Sequence, residues 1–123
     1  MAGKPVHIEI PAGDTSKSRE FWSGLFGWQF ESYPGPVEYH MTRFTDKTGG
    51  AIYNNPEGNA DGMRVYFDVD DINAGAARVK ELGGEAGESM PVPGMGWFAV
   101  CKDVEGNDFG LWQNDESAAV PTA

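Results

Sequence analysis

A single cysteine, Cys101, is the entire thiol content of the 123-residue chain. One thiol excludes an intrachain disulfide and a four-ligand zinc ribbon. Long apolar runs are missing too. The longest is Trp97-Phe98-Ala99-Val100-Cys101, far short of the roughly 20 residues that a membrane-spanning helix needs. Positive charge is scarce: 9 basic residues face 19 acidic ones, for a net charge of −10. That balance repels duplex nucleic acid, which is bound through cationic groups that displace counterions. It repels an anionic membrane for the same reason. No Gly-x-Ser-x-Gly elbow and no phosphate-binding loop occurs. The stretch Met1-Ala2-Gly3-Lys4-Pro5 has no apolar segment behind its lysine, so the expectation is a cytoplasmic protein.

Glycine and proline, by contrast, are abundant. There are 17 and 8 of them, which favours short strands and many turns over long helices. The acidity is uneven. Residues 1–60 hold 5 basic and 7 acidic side chains, and residues 61–123 hold 4 and 12. Such a surface promotes solubility and could draw in a cationic small molecule. Length and composition fit one globular domain.

Two helices are predicted. The first follows Asp14 as N-cap and spans residues 15–25, with Phe21, Trp22, Leu25 and Phe26 as its apolar face and Gly27 as its stop. The second follows Asp71 and spans 72–82, with Ile72, Ala76, Val79 and Leu82 at helical spacing before Gly83-Gly84. An alternating strand precedes each. Val6-His7-Ile8-Glu9-Ile10 puts His7 and Glu9 opposite the apolar face. Arg64-Val65-Tyr66-Phe67-Asp68-Val69 does the same with Arg64, Tyr66 and Asp68.

A shift of 57 residues places His7 on Arg64 and Asp14 on Asp71. The tetrad Ala51-Ile52-Tyr53-Asn54 matches Gly110-Leu111-Trp112-Gln113: small, aliphatic, aromatic, amide. Strands at 28–33, 38–44 and 50–54 follow the first helix. Strands at 86–92, 96–102 and 108–113 follow the second. The chain therefore reads as a repeated strand, helix, three-strand module, about 5–55 and about 62–114, with a flexible tail at 115–123.

The run His7-Ile8-Glu9-Ile10-Pro11, then Asp14, then Phe21-Trp22-Ser23-Gly24-Leu25-Phe26-Gly27-Trp28 resembles the first module of the vicinal oxygen chelate superfamily. That group includes glyoxalase I, extradiol dioxygenases, and the fosfomycin and bleomycin resistance proteins. Val69-Asp70-Asp71, Leu82-Gly83-Gly84 and Asp103-Val104-Glu105-Gly106-Asn107 leading into Phe109-Gly110-Leu111-Trp112 agree with the second. The resemblance implies an α+β fold of two tandem pseudo-symmetric βαβββ modules, their mixed sheet curled around a concave cavity, in one domain over residues 1–114. It implies a homodimer and a small-molecule ligand. With the strand parity, it makes His7, Glu9, Tyr53, Arg64, Tyr66 and Trp112 the expected ligand-binding residues.

Metal-dependent relatives take one ligand from the first and one from the last strand of each module. Carried over, the first-strand positions are His7 and Arg64, and the last-strand positions are Ala51 and Gly110. Arginine stays protonated and cannot ligate, and alanine and glycine offer no donor. No cofactor is expected, and His7 is the only ligand-type residue left.

Three functions stay open on the sequence. One is a metal-free binding protein for a small, partly aromatic or cationic molecule. Another is a metal-independent lyase or isomerase with His7 or Glu9 as base. The third is a metal-dependent glyoxalase-like or dioxygenase-like enzyme. Arg64 reads either as a clamp for a carboxylate or phosphate or as the ion-pair partner of Glu9. Trp97 is a further possible cavity wall, and Trp22 and Trp28 read as packing. Asp71 reads as a helix cap, Asp103 and Gly106 as turn formers, and Cys101 as a buried inert thiol. The segment 88–97 reads either as a gate or as a corner.

Overall fold

A computed structural model describes residues 3–57 and 62–119. The chain is α+β and forms two compact units. One is Val6–Arg64; the other runs from Val65 onward and includes the residues just before Val6.

The first unit contains β1 (Pro5–Ala12), α1 (Thr15–Phe26), β2 (Glu31–Ser32), β3 (Tyr39–Arg43) and β4 (Gly49–Asn54). Its strands lie in the order β2-β3-β4-β1, with β1 parallel to β4 and the other pairs antiparallel. Ile10, Ala12 and Ile52 form the core, with Ile8, Trp22, Trp28 and Phe30 packed on it. The alternation expected of β1 is thus realised: its even-numbered residues meet the helix side.

Asp14 caps α1 by accepting from the Lys17 amide, and Gly27 ends it at φ +74°, with its N–H on the Ser23 carbonyl. The expected apolar face of α1 is only partly buried. Trp22 turns inward and stacks on Trp28 with centroids 5.1 Å apart. Phe21, Leu25 and Phe26 are 62%, 56% and 58% exposed. Thr15, Ser18 and Arg19 share the sheet-facing side with Trp22, because those positions are spaced by seven, four and three from it. The two phenylalanines form an outer layer, Phe21 edge-on to Trp22 and Phe26 tilted against Trp28.

The second unit contains the rest of β5 (Arg64–Asp68), α2 (Ile72–Glu81), β6 (Glu85–Ala86), β7 (Met90–Val92), β8 (Gly96–Lys102) and β9 (Asp108–Asn114). Here β5 is parallel to β9, β9 is antiparallel to β8, and both β6 and β7 pair with β8. Ile72, Ala99, Cys101 and Leu111 form the core, with Val69, Val79, Ala86, Trp97 and Phe109 packed on it. Trp97 therefore belongs to the helix-side core, and its Nε1 donates to Asp115 at 3.1 Å. It is not a wall of the opposite face.

Several sequence expectations are refined here. The strand at 86–92 is split into β6 and β7. Ala86 faces Cys101 and Met90 faces Phe98, so one chain has three intervening residues and the other two. That extra residue is a bulge, anchored by the Gly87 amide on the Val100 carbonyl. Leu82 lies past the end of α2 and is exposed, which leaves Ile72 and Val79 to hold the helix down. The segment 88–97 is a hairpin: Met95 N–H returns to the Val92 carbonyl and Gly94 takes φ +75°. Of the expected tail, residues 120–123 lie outside the described residues. Residues 115–119 are tied down, with Ala118 buried and its carbonyl accepting from Gly94.

Asp71 accepts from the Asn73 and Ala74 amides as the cap of α2. Asp103 accepts from the Glu105 and Asn107 amides and the Asn107 side chain in a turn. Both acidic groups are structural. Among the described residues, no helix is long and apolar enough to cross a membrane.

Candidate functional site

The sheet face of the first unit opposite α1 carries a continuous polar bridge. His7 and Glu9 project from β1. Tyr39, on β3, reaches across β4. Its hydroxyl lies 2.7 Å from His7 Nε2 and donates to Glu9 Oε2 at 3.0 Å. Glu9 Oε1 in turn accepts from Arg64 Nη1 at 3.3 Å. The side chains of Glu9 and Arg64 are 16% and 19% exposed, so this pair is largely withdrawn from water. The ion-pair reading of Arg64 is thereby realised. The imidazole of His7 lies nearly parallel to the Tyr39 ring, with centroids 6.3 Å apart. Burial pushes the His7 pKa below its ordinary value, and the nearby Glu9 carboxylate partly offsets this.

The register explains why these groups meet. Glu9 pairs with Ala51, which pairs with Met41; Pro11 pairs with Tyr53, which pairs with Tyr39. Residues joined in this way share one face of a sheet. Tyr53 therefore lies on the same face as His7 and Glu9, half-buried. Ala51 is buried between Met41 and Glu9, where a small side chain leaves room for the tyrosine to cross.

In the second unit, Tyr66 pairs with Gly110 across β5 and β9. Its ring stands where a side chain at 110 would go: a Cβ there would collide with Tyr66 Cγ, Cδ2 and Cε2. Tyr66 is 4% exposed and set edge-on to Phe98. Trp112 is half-buried, donates to Asn114 Oδ1 at 2.8 Å, and has its ring over Gly96. Both lie on the sheet face opposite Leu111 and α2, as expected from parity. Tyr66 is enclosed by its neighbours.

Sequence reasoning singled out His7, Glu9 and Arg64 but missed Tyr39, the residue that joins them. The signal was available in the alternation Tyr39-His40-Met41-Thr42-Arg43, where buried His40 and Thr42 mark the helix side. It could be used only once the pairing of β3 with β4 was known. Phe98 was missed in the same way. Cys101 is buried in the helix-side core, and burial raises its thiol pKa, which makes it a poor nucleophile. Among the described residues, no three histidine, cysteine or carboxylate side chains converge as a metal group would require.

This arrangement of paired βαβββ units is the fold of the vicinal oxygen chelate superfamily. The structure of methylmalonyl-CoA epimerase from Streptomyces coelicolor matches with a TM-score of 0.74, covering 98% of this chain and 100% of that one at 15% identity. That identity carries the fold alone. The chain belongs to the glyoxalase-like domain family, whose model matches residues 7–112. It is 31% identical over 129 residues to the anthracycline biosynthesis protein DnrV of Streptomyces peucetius, covering 90% of this chain and 47% of that protein. It is 30% identical over 122 residues to a glyoxylase-like domain-containing protein of Didymella fabae, covering 90% and 94%. The chain thus spans about half the length of the first of these relatives and nearly all of the second.

Proposed function

We propose that this glyoxalase-like domain binds a small, partly aromatic or cationic organic molecule without a divalent metal, at the His7–Tyr39–Glu9–Arg64 face and beside Tyr53. One observation carries the reading: the side chains at the inherited ligand positions do not fit an ion. Arg64 is a fixed cation held by Glu9. Gly110 is donorless, with the Tyr66 ring in front of it. Ala51 is donorless and buried. His7 has its Nε2 engaged with Tyr39. A divalent ion needs several oxygen, nitrogen or sulfur donors converging at about 2 Å. The polar bridge with an aromatic neighbour instead suits an organic guest, which is bound mainly by apolar walls and oriented by a few polar groups. The name of the Streptomyces peucetius relative, an anthracycline biosynthesis protein, supports a search among flat polycyclic compounds.

The test is a thermal-shift screen of aromatic cations and polycyclic hydroxylated compounds, an anthracycline among them, followed by calorimetry. A saturable binder whose affinity survives chelator and falls in His7→Ala supports the reading. A binder that requires added metal overturns it. A second reading, proton transfer by His7 or Glu9, is favoured by the imidazole with its lowered pKa lying one hydroxyl away from the Glu9 carboxylate. Turnover of a bound compound, lost in His7→Ala with binding retained, would select it.

The homodimer implied by the resemblance is proposed to use the exposed stripe of Phe21, Leu25 and Phe26 on α1. Residues 1–60 carry a formal charge of −2 against −8 for the remainder, so two copies repel least through this part of the chain. Light scattering should give a dimer mass that Phe26→Glu reduces to a monomer. A wild-type monomer would contradict it.

A further inference from the structure

We infer that Ser32, His40 and Glu38 form a second reactive site, with Ser32 as nucleophile toward small activated carboxylic esters, His40 as its general base and Glu38 as the positioning residue that sets the ring's proton. The three lie on or beside β2 and β3, on the face of the first unit that carries α1. None belongs to the His7–Tyr39–Glu9–Arg64 face, so the inference goes beyond the proposed binding function and does not depend on it. Ser32 stands opposite His40 in the β2–β3 register. The next pair is closed by the Tyr33 amide on the Tyr39 carbonyl. Antiparallel pairs alternate, so Ser32 and His40 meet through their side chains rather than their backbones. Ser32 Oγ accordingly lies 3.2 Å from His40 Nδ1.

The other ring nitrogen, Nε2, is 3.2 Å from Glu38 Oε2, an ion-pair contact rather than an aligned hydrogen bond. Glu38 is held in turn by the Thr15 hydroxyl, which donates to Oε1 at 2.8 Å from the first residue of α1. That hydroxyl first, and then His40 and the Arg19 cation, keep the Glu38 pKa below the usual carboxylate range. An ionised carboxylate repels a lone pair on Nε2 and favours a proton there. In the neutral ring Nδ1 then bears the lone pair and accepts from the serine hydroxyl. This is the relation that activates a nucleophile: hydroxyl on base, base on orienting carboxylate. Access has the matching order. Ser32 is exposed, whereas the His40 side chain is 8% exposed and sits behind it. The same alternation turns the Ser32 amide away from β3. Because β2 ends the strand order, that N–H faces the sheet edge, where it can donate to the oxygen of an ester under attack.

The chemistry closes on itself. Ser32 Oγ bonds to the ester carbonyl carbon while its proton passes to His40 Nδ1. The carbon–oxygen bond to the leaving alcohol breaks, and the alcohol departs with that proton. Water then gives a proton to His40 and bonds to the acyl carbon, and Ser32 leaves, recovering its hydrogen. The products are one carboxylic acid and one alcohol.

The experiment treats the full chain with an alkyl fluorophosphonate, which forms an Oγ–phosphorus bond and releases fluoride and the serine proton, and locates the adduct by peptide mass spectrometry. The expected result is a single adduct on Ser32, lost in heat-denatured protein and in Ser32→Ala. Its rate should fall by about 100-fold or more in His40→Gln, the usual weight of a general base. Glu38→Gln keeps an oxygen for the Thr15 hydroxyl but loses the charge. It should lower the labelling rate at saturating probe and leave the half-saturating concentration and the thermal midpoint unchanged. A carboxylate that only braced α1 would move the midpoint and not the rate. Hydrolysis of 4-nitrophenyl acetate should fall in the same variants. No adduct on Ser32 in the folded wild type overturns the inference, as does an adduct whose rate is unchanged in Glu38→Gln or in folded His40→Gln. If His40→Gln does not fold, the wild type and Glu38→Gln decide, since the Glu38 side chain is 49% exposed.

Discussion

The residue that most shapes the sheet face of the second unit is Gly110. Its lack of a side chain leaves space that the Tyr66 ring occupies. Filling it again should be costly, since overpacking a well-packed interior costs about 1–3 kcal/mol. Gly110→Ala is expected to lower unfolding stability by that amount in urea titrations. Adding Tyr66→Leu should return part of the loss, because the clash needs both side chains. Glu9 and Arg64 form a second coupled pair. Removing either takes the ion-pair partner from a largely buried charge. Glu9→Gln is expected to cost about 2–3 kcal/mol by the same measurement, somewhat less than for a fully buried pair. The double variant Glu9→Gln/Arg64→Met should be less destabilised than the sum of its parts. His7 adds a pH dependence of defined sign. Its folded pKa lies below its ordinary value of 6.5, so below pH 6.5 the unfolded chain binds more protons than the folded one. Its contribution is therefore complete above 6.5 and is lost as pH falls toward the folded value. Urea midpoints measured between pH 7.5 and 5 should fall more steeply in the wild type than in His7→Gln.

Among the elements, α1 tests how burial and hydrophobicity can separate. Trp22 is its anchor, and Phe21 and Leu25 stand outside. Trp22→Ala should cost about 3–5 kcal/mol, as for a large core side chain. Phe21→Ser, studied at concentrations where the chain is monomeric, should change stability by less than about 1 kcal/mol. Equal losses would show that the outer layer carries as much as the anchor. This helix also shows where sequence legibility ends. Its caps, Asp14 and Gly27, were readable because capping is local chemistry. Its buried face was not, because apolar residues at 21, 22, 25 and 26 cover more of the helix than one sheet can bury. Strand parity was readable in β1 and β5, where alternation is unbroken. It failed at residues 86–92, since a bulge depends on register against β8 rather than on the residues themselves. The Glu9–Arg64 pair could be anticipated from parity and the internal repeat. Tyr39 could not, because its role depends on crossing β4 above a buried Ala51.

At the scale of the whole molecule, the proposal is that this glyoxalase-like domain binds an organic molecule at the polar bridge of its first unit. Three of the four inherited positions lack a donor, and the fourth has its Nε2 hydrogen-bonded to Tyr39. The most direct test is the metal content of the full chain purified without chelator, measured by inductively coupled plasma mass spectrometry. The account predicts zinc, nickel, manganese and iron each far below one equivalent per chain, with binding of the first screened compound unchanged by chelator. One equivalent of any of these ions, lost together with binding on chelation and restored with it, would contradict the account.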